Sequence, residues 1–159
     1  MPEIRIEEVT QTEVAGLFTI SFEGDATTEF QKFIEKFKDD AKLQRDLSFI
    51  LNAINRMLEA SGFLERFFRP EGKMSDNVVA LPIDSSRLRL YCLRLSDSVL
   101  IVGNGGIKKT KTYNEDSDLS GYVITLQKLD KLLKQTIGKG KITIEETTLK
   151  GIDTITFDL

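Results

Sequence analysis

Two periods organise the apolar residues of this chain. A two-residue period comes first: Ile4 and Ile6 alternate with Glu3, Arg5 and Glu7, and Phe18, Ile20 and Phe22 share one side of residues 17–23. Successive strand side chains point to opposite faces, so both stretches predict half-covered β-strands. Gly24-Asp25 breaks the alternation, and Asp25 or Thr27 is placed to cap a helix start. The period then changes. Phe30, Phe33, Ile34 and Phe37 recur at i, i+3, i+4 and i+7, the spacing of one buried helix face. After Asp39-Asp40 a second helix carries Leu43, Leu47, Ile50, Leu51, Ile54, Met57 and Leu58, and Gly62 stands where a helix-ending glycine belongs. Joined by a short turn, the two make a helical hairpin.

Beyond it, Phe63, Phe67 and Phe68 alternate with Arg66, Arg69 and Lys73 in a connection expected to tuck against a sheet. Residues 78–83 (VVALPI) predict a strand that Pro82 confines to an end or edge position. In 87–95, Leu88, Leu90 and Cys92 point one way, and Arg87, Arg89 and Tyr91 the other. Ser96-Asp97-Ser98 has the chemistry of a tight turn, and 98–104 is apolar almost throughout, which predicts a central strand with both faces covered. Gly105-Gly106 is expected to bend the chain out of the sheet with φ > 0; it lacks the spacing of a nucleotide-binding loop. A polar connection over 113–121 leads to a third helix with Leu126, Leu129, Leu132, Leu133 and Ile137, stopped by Gly138. The runs 141–147 and 152–158 predict two short strands, or a strand and a tail. The pattern is that of one α+β domain over 1–159: an antiparallel β-sheet packed against a helical hairpin, with terminal extensions at 1–16 and 138–159 that add strands at both ends.

Composition narrows the chemistry. A chain of 159 residues is long enough to bury a real core as one domain. It contains no histidine and one cysteine, Cys92, which excludes Ser-His-Asp and Cys-His catalysis, zinc sites built on histidine or thiolate ligands, and an internal disulfide. No metal or other cofactor is expected, and acid–base work falls to Lys, Arg, Tyr, Asp or Glu. Cys92 has the apolar parity of its strand and is expected to be an inert core residue. No apolar run reaches the length of a membrane helix, and the N-terminus lacks the pattern of a secretory signal, so a cytoplasmic protein with no membrane partner is expected. Net charge is −3, unevenly spread: residues 62–113 hold nine basic and five acidic side chains, within an otherwise acidic chain. A basic island of this kind points to an anionic partner.

The island holds the candidate site. Two arginines at i and i+2 on a strand stand about 7 Å apart on one side of a sheet, close to the spacing of successive phosphates along a nucleic-acid strand. Arg87 and Arg89 have that spacing, with Tyr91 next on the same parity. Guanidinium forks bind phosphate oxygens in bidentate fashion. Lys108, Lys109 and Lys111 add charge at the exit of the following strand, and Tyr113 adds a phenol able to stack on a base or donate a proton. The same residues also fit a solvated strand face followed by a solvated lysine turn.

The order of elements, with the wording RLRLYCLRL, SVLIVGN and GIKKTKTY, resembles the RelE/ParE toxin superfamily over residues 17–135. The resemblance implies a RelE-like fold and the toxin of a toxin–antitoxin pair, with an antitoxin protein as partner. It implies a metal-independent endoribonuclease that cuts mRNA on the ribosome, the ribose 2′-OH attacking the adjacent phosphate while cations stabilise the added charge. Carried over by position, Arg89, Lys109 and Tyr113 take catalytic places, Arg87 being the register alternative to Arg89, and Arg87, Tyr91, Lys108 and Lys111 take substrate-binding ones. The alternative is a non-catalytic module of the same fold that holds RNA or a protein. A smaller possibility implied by relatives of the fold is inhibition of DNA gyrase. The acidic chain, the lysines at the exit and the terminal extensions depart from the family pattern.

Overall fold

A computed structural model describes residues 2–71, 76–82, 86–108 and 117–159. The elements are β1 (Glu3–Gln11), β2 (Gly16–Phe22), α1 (Glu29–Phe37), α2 (Gln44–Arg56), β3 (Arg69–Pro70), β4 (Val78–Leu81), β5 (Leu88–Arg94), β6 (Val99–Ile107), α3 (Ser117–Gly138), β7 (Thr143–Glu145), β8 (Thr148–Lys150) and β9 (Phe157–Asp158). Among the described residues seven strands form one sheet in the order β3-β4-β5-β6-β2-β1-β9, and β7 and β8 form a separate hairpin. Among the described residues no helix is long and apolar enough to cross a membrane.

Helices cover both faces of the sheet. On one, Phe30, Phe33 and Phe37 of α1 and Leu47, Ile50 and Ile54 of α2 pack with Leu17, Leu88, Leu90, Cys92, Leu100 and Val102. On the other, Val123, Leu126, Leu129 and Leu133 of α3 pack with Ile4, Ile6, Phe18, Ile20, Leu93 and Ile101. Each fully buried Phe, Leu or Ile contributes about 1.5–3 kcal/mol of transfer free energy, so the phenylalanine stripe of α1 is core, as its spacing predicts. Ile34, on the margin of the stripe, is only half-buried. A π-helical turn, Met57–Ser61, ends the second helix at Gly62, whose φ of 78° is the left-handed conformation that favours glycine. Phe63 and Phe68 are buried, and the Phe63 N–H donates to Asp97 O at 2.6 Å, which fixes the connection to the β5–β6 turn. On the other face Asp130, almost wholly buried, accepts from Asn77 N (3.2 Å) and Nδ2 (3.0 Å) and pairs with Lys134, tying α3 to the start of β4.

Several expectations change. The sheet is mixed: β2 and β6 pair in parallel, with Gly16 opposite Val99 and Thr19 opposite Val102. Two strands precede the helical hairpin, in the order the alternation at Ile4/Ile6 and over 17–23 predicts. Thr28, rather than Asp25 or Thr27, caps α1, its hydroxyl accepting from Gln31 N at 3.2 Å; Asp25 pairs with Lys32 instead. β4 stops at Leu81, just before Pro82, which takes the end position of the two expected, and β3 supplies the edge; Ile83 lies outside the described residues. Gly105 and Gly106 belong to β6, and neither has positive φ. Their role is close approach: a Cβ on Gly105 would sit 1.8 Å from the Arg89 carbonyl oxygen, and one on Gly106 3.1 Å from a Leu119 methyl. α3 starts at Ser117, within the stretch expected to be a connection. At the C-terminal end β9 pairs with β1, Phe157 standing opposite Ile4.

Candidate functional site

The basic island gathers where β5 begins and β6 ends. Leu88 stands opposite Ile107 and Arg89 opposite Gly106, and one step further Lys108 N donates to Arg87 O at 2.6 Å. The backbone therefore brings Arg87 and Lys108 side by side at the open end of the hairpin. A third strand adds to it. Arg69 of β3 is opposite Ala80, which is opposite Tyr91, so Arg69 stands on the outer edge of the sheet, in the row two residues along β5 from Arg89. Two residues on, Glu71 N donates to Val78 O at 3.0 Å, and the Glu71 carboxylate lies 3.6 Å from Arg69 Nε.

These groups feel one another electrically. The Lys108 ammonium is held below its ordinary value, first by the Arg89 guanidinium, then by burial and by Arg69, while Glu71 opposes the shift. Burial pushes the Glu71 carboxyl up, and Arg69, Arg89 and Lys108 pull it back. Arg69, Arg89 and Lys108 thus all act on one partly desolvated carboxylate, that of Glu71. Such a cluster can bind an anion: Arg69 and Lys108 are partly exposed and Arg87 is exposed.

The expected shared face of Arg87, Arg89 and Tyr91 is corrected. Only Arg87 is exposed; Arg89 retains 3% of its accessible surface and Tyr91 2%. The parity was right, but α3 lies across that face, and Tyr91 belongs to the core it covers. Arg89 therefore stands behind Lys108 as part of the field and not as a surface fork. Lys109, Lys111 and Tyr113 lie outside the described residues, as does Lys73. Arg69 and Glu71 were not anticipated as site residues. Their signal was present in the Arg-Pro-Glu-Gly stretch at 69–72, which reads as a turn because β3 spans only two residues.

Cys92 is fully buried among apolar neighbours, and burial pushes its thiol well above the usual range, which makes it unreactive in the folded protein. Comparison with family models, curated proteins and solved structures yields no match.

Proposed function

We propose that this chain is a non-catalytic binding module that takes RNA phosphate on the cationic end of its sheet. The observation that carries the reading is the meeting of Arg87, Arg89 and Lys108 where β5 begins and β6 ends, with Arg69 on the neighbouring edge strand. Drawing like charges together opposes folding, and a bound anion reverses the sign of that interaction. The succession of a strand, a helical hairpin and the antiparallel run β3-β4-β5-β6 supports a RelE-like arrangement. The burial of Arg89 and Tyr91 favours binding over RNA cleavage, since a ribonuclease would need the guanidinium against the scissile phosphate.

The test is fluorescence anisotropy with a short labelled single-stranded RNA, titrated at several salt concentrations. Binding is expected to weaken with salt. Lys108→Ala and Arg69→Ala should each lower the slope of log K against log salt by roughly 0.7, the value for one single-strand phosphate contact. The RNA should remain intact. Salt-independent binding, or none, overturns the proposal. Cleavage to cyclic-phosphate ends, lost in Arg89→Ala, would replace it with the toxin-type ribonuclease reading, and capture of an antitoxin-like protein without RNA affinity would replace it with a protein-binding one.

A further inference from the structure

A second site lies on the β2 side of β6, toward the same carboxyl end of that strand as the cationic group, where β2 and β6 run parallel. β2 leads into α1, which packs on one face of the sheet, and β6 is followed by α3, which packs on the opposite face. Adjacent parallel strands whose following helices leave to opposite faces make a crevice outside their carboxyl ends, the place where open α/β sheets bind ligands. Here that crevice is a cavity of about 290 Å³, walled by Phe22, Glu29, Gly103, Asn104, Tyr122 and Leu126 among others. Its size suits a small ligand.

Three features make it a built site. First, β6 carries a bulge: Leu90 stands opposite Gly105 and Cys92 opposite Val102, so Gly103 and Asn104 together face Tyr91. Bulges re-aim side chains, and this one directs Asn104 at α1, where its Nδ2 donates to Glu29 Oε1 at 3.3 Å. Asn104 is itself held by Gly105 N, which donates to its Oδ1 at 2.8 Å. Second, Glu29 and Asn104 are each 6% exposed, a buried polar pair at the cavity wall. Third, the pairing of β2 with β6 ends at Thr19 opposite Val102, so beyond it the glycine-rich backbone of β6 and the end of β2, with Ile20 and Phe22, face each other across the crevice. Gly121 keeps the α3 wall free of a side chain, since a Cβ there would meet nothing within 4 Å, whereas Gly103 is packed against Leu126, whose methyl would lie 3.3 Å from a Cβ.

The chemistry of the walls selects the ligand. The lysines nearby are committed: Lys32 Nζ lies 2.5 Å from Asp25 and 2.8 Å from Glu29, and Lys36 Nζ donates to Gly105 O at 2.6 Å and to the Tyr122 hydroxyl at 3.1 Å. The Glu29 and Asp118 carboxylates disfavour an anion, and Phe22 and Tyr122, which carry the Lys32 and Lys36 ammoniums over their rings at 5.7 and 4.9 Å, line the crevice with aromatic surface beside them. A carboxylate accepts from about four directions, and those of Glu29 are only partly used by Asn104 and Lys32. We infer that the crevice binds a small planar group presenting two adjacent N–H donors, read by Glu29 and flanked by Phe22 and Tyr122. Guanine and a guanidinium both carry that edge; adenine does not. This inference is independent of the cationic end, and either can fail alone.

Equilibrium dialysis and amide NMR of the full chain with guanosine, agmatine and adenosine test it. Guanosine or agmatine should bind at millimolar concentration or below, shifting the amides of Gly103, Gly105 and Gly121, and whichever binds identifies the source of the donor edge. Adenosine should bind at least tenfold more weakly. Glu29→Gln should weaken the preferred ligand at least tenfold. Because that change also touches the start of α1, Gly121→Leu serves as a second variant; it fills the mouth from an open helix position and should abolish binding with the fold retained by NMR. No binding of guanosine or agmatine, equal binding of adenosine, or binding that survives Gly121→Leu overturns the inference.

Discussion

Gly105→Ala measures how tightly the bulged hairpin is closed. An alanine Cβ there would lie 1.8 Å from Arg89 O, 2.8 Å from Arg89 C and 3.0 Å from Leu90 Cα. All three are backbone atoms, so no rotamer change relieves the clash, and β5 and β6 must separate by more than 1 Å to reach ordinary contact. Both strands are central and buried on both faces, so that movement disturbs packing against α1 and α3 alike. Overpacking in a core costs about 1–3 kcal/mol, and a backbone clash belongs at the upper end. At about 2–4 °C per kcal/mol for a chain of this size, Tm should fall by about 6–12 °C. Gly121→Ala is the control: it sits in α3 with open space around it, and replacing a helical glycine by alanine should stabilise by about 0.5–1 kcal/mol. Calorimetry of the two variants beside the parent decides the matter. A Gly105→Ala protein melting within 2 °C of the parent would refute the close approach on which the bulge geometry rests.

Thr28→Ala removes the cap of α1 and should cost about 0.5–2 kcal/mol in urea unfolding, while Thr27→Ala should cost little. Cys92 should resist iodoacetamide in the native protein and label rapidly in denaturant, because its thiol is enclosed and burial keeps it protonated. Lys108 provides a pH signature. Its folded value lies below the ordinary 10.5, so between the two values the unfolded chain holds the proton more firmly, and stability contributed by this residue rises with pH across that window. Urea midpoints followed across that window should show the parent gaining on Lys108→Met; an unchanged difference would remove the repulsion from Arg89.

The elements that read well are those whose period reflects one neighbour. Phe30, Phe33 and Phe37 face a single sheet surface, and Ile4 and Ile6 a single helix, so their spacing carried the burial. Where two neighbours compete, the pattern is silent about one of them. Arg89 and Tyr91 have the parity of an outer face, but α3 covers it, and nothing within 87–95 encodes a helix some thirty residues later. The polar start of α3 reads as a connection because Asp118, Gly121 and Tyr122 border the crevice and Leu119 alone of its first turn enters the core among the described side chains. Gly105-Gly106 reads as an exit because glycine usually marks freedom, whereas here it marks lack of space. The parallel pairing of β2 with β6 leaves no local trace at all. The crevice depends on that pairing, so the sequence could not reveal it. The cationic end was legible in Arg87, Arg89 and Lys108, and it became a cluster only when β3 supplied Arg69 and Glu71.

That same parallel seam sets the order in which the molecule can assemble. β1–β2 is a local hairpin, and β4-β5-β6 is a local meander. Thr19 and Val102, whose hydroxyl and carbonyl meet at 2.6 Å in the seam, are 83 residues apart along the chain. Contacts between near neighbours form first, and distant ones must first offset the entropy of closing the loop between them. The two blocks are therefore expected to gain structure separately and to join late, with the helical hairpin carried in the loop that closes. Phe30 N donates to the Thr19 hydroxyl at 3.3 Å, so the start of α1 is stitched to the seam as it closes. In kinetic terms, substitutions at Thr19 should act mainly on the unfolding rate, and those in the β5–β6 hairpin on the rate of folding.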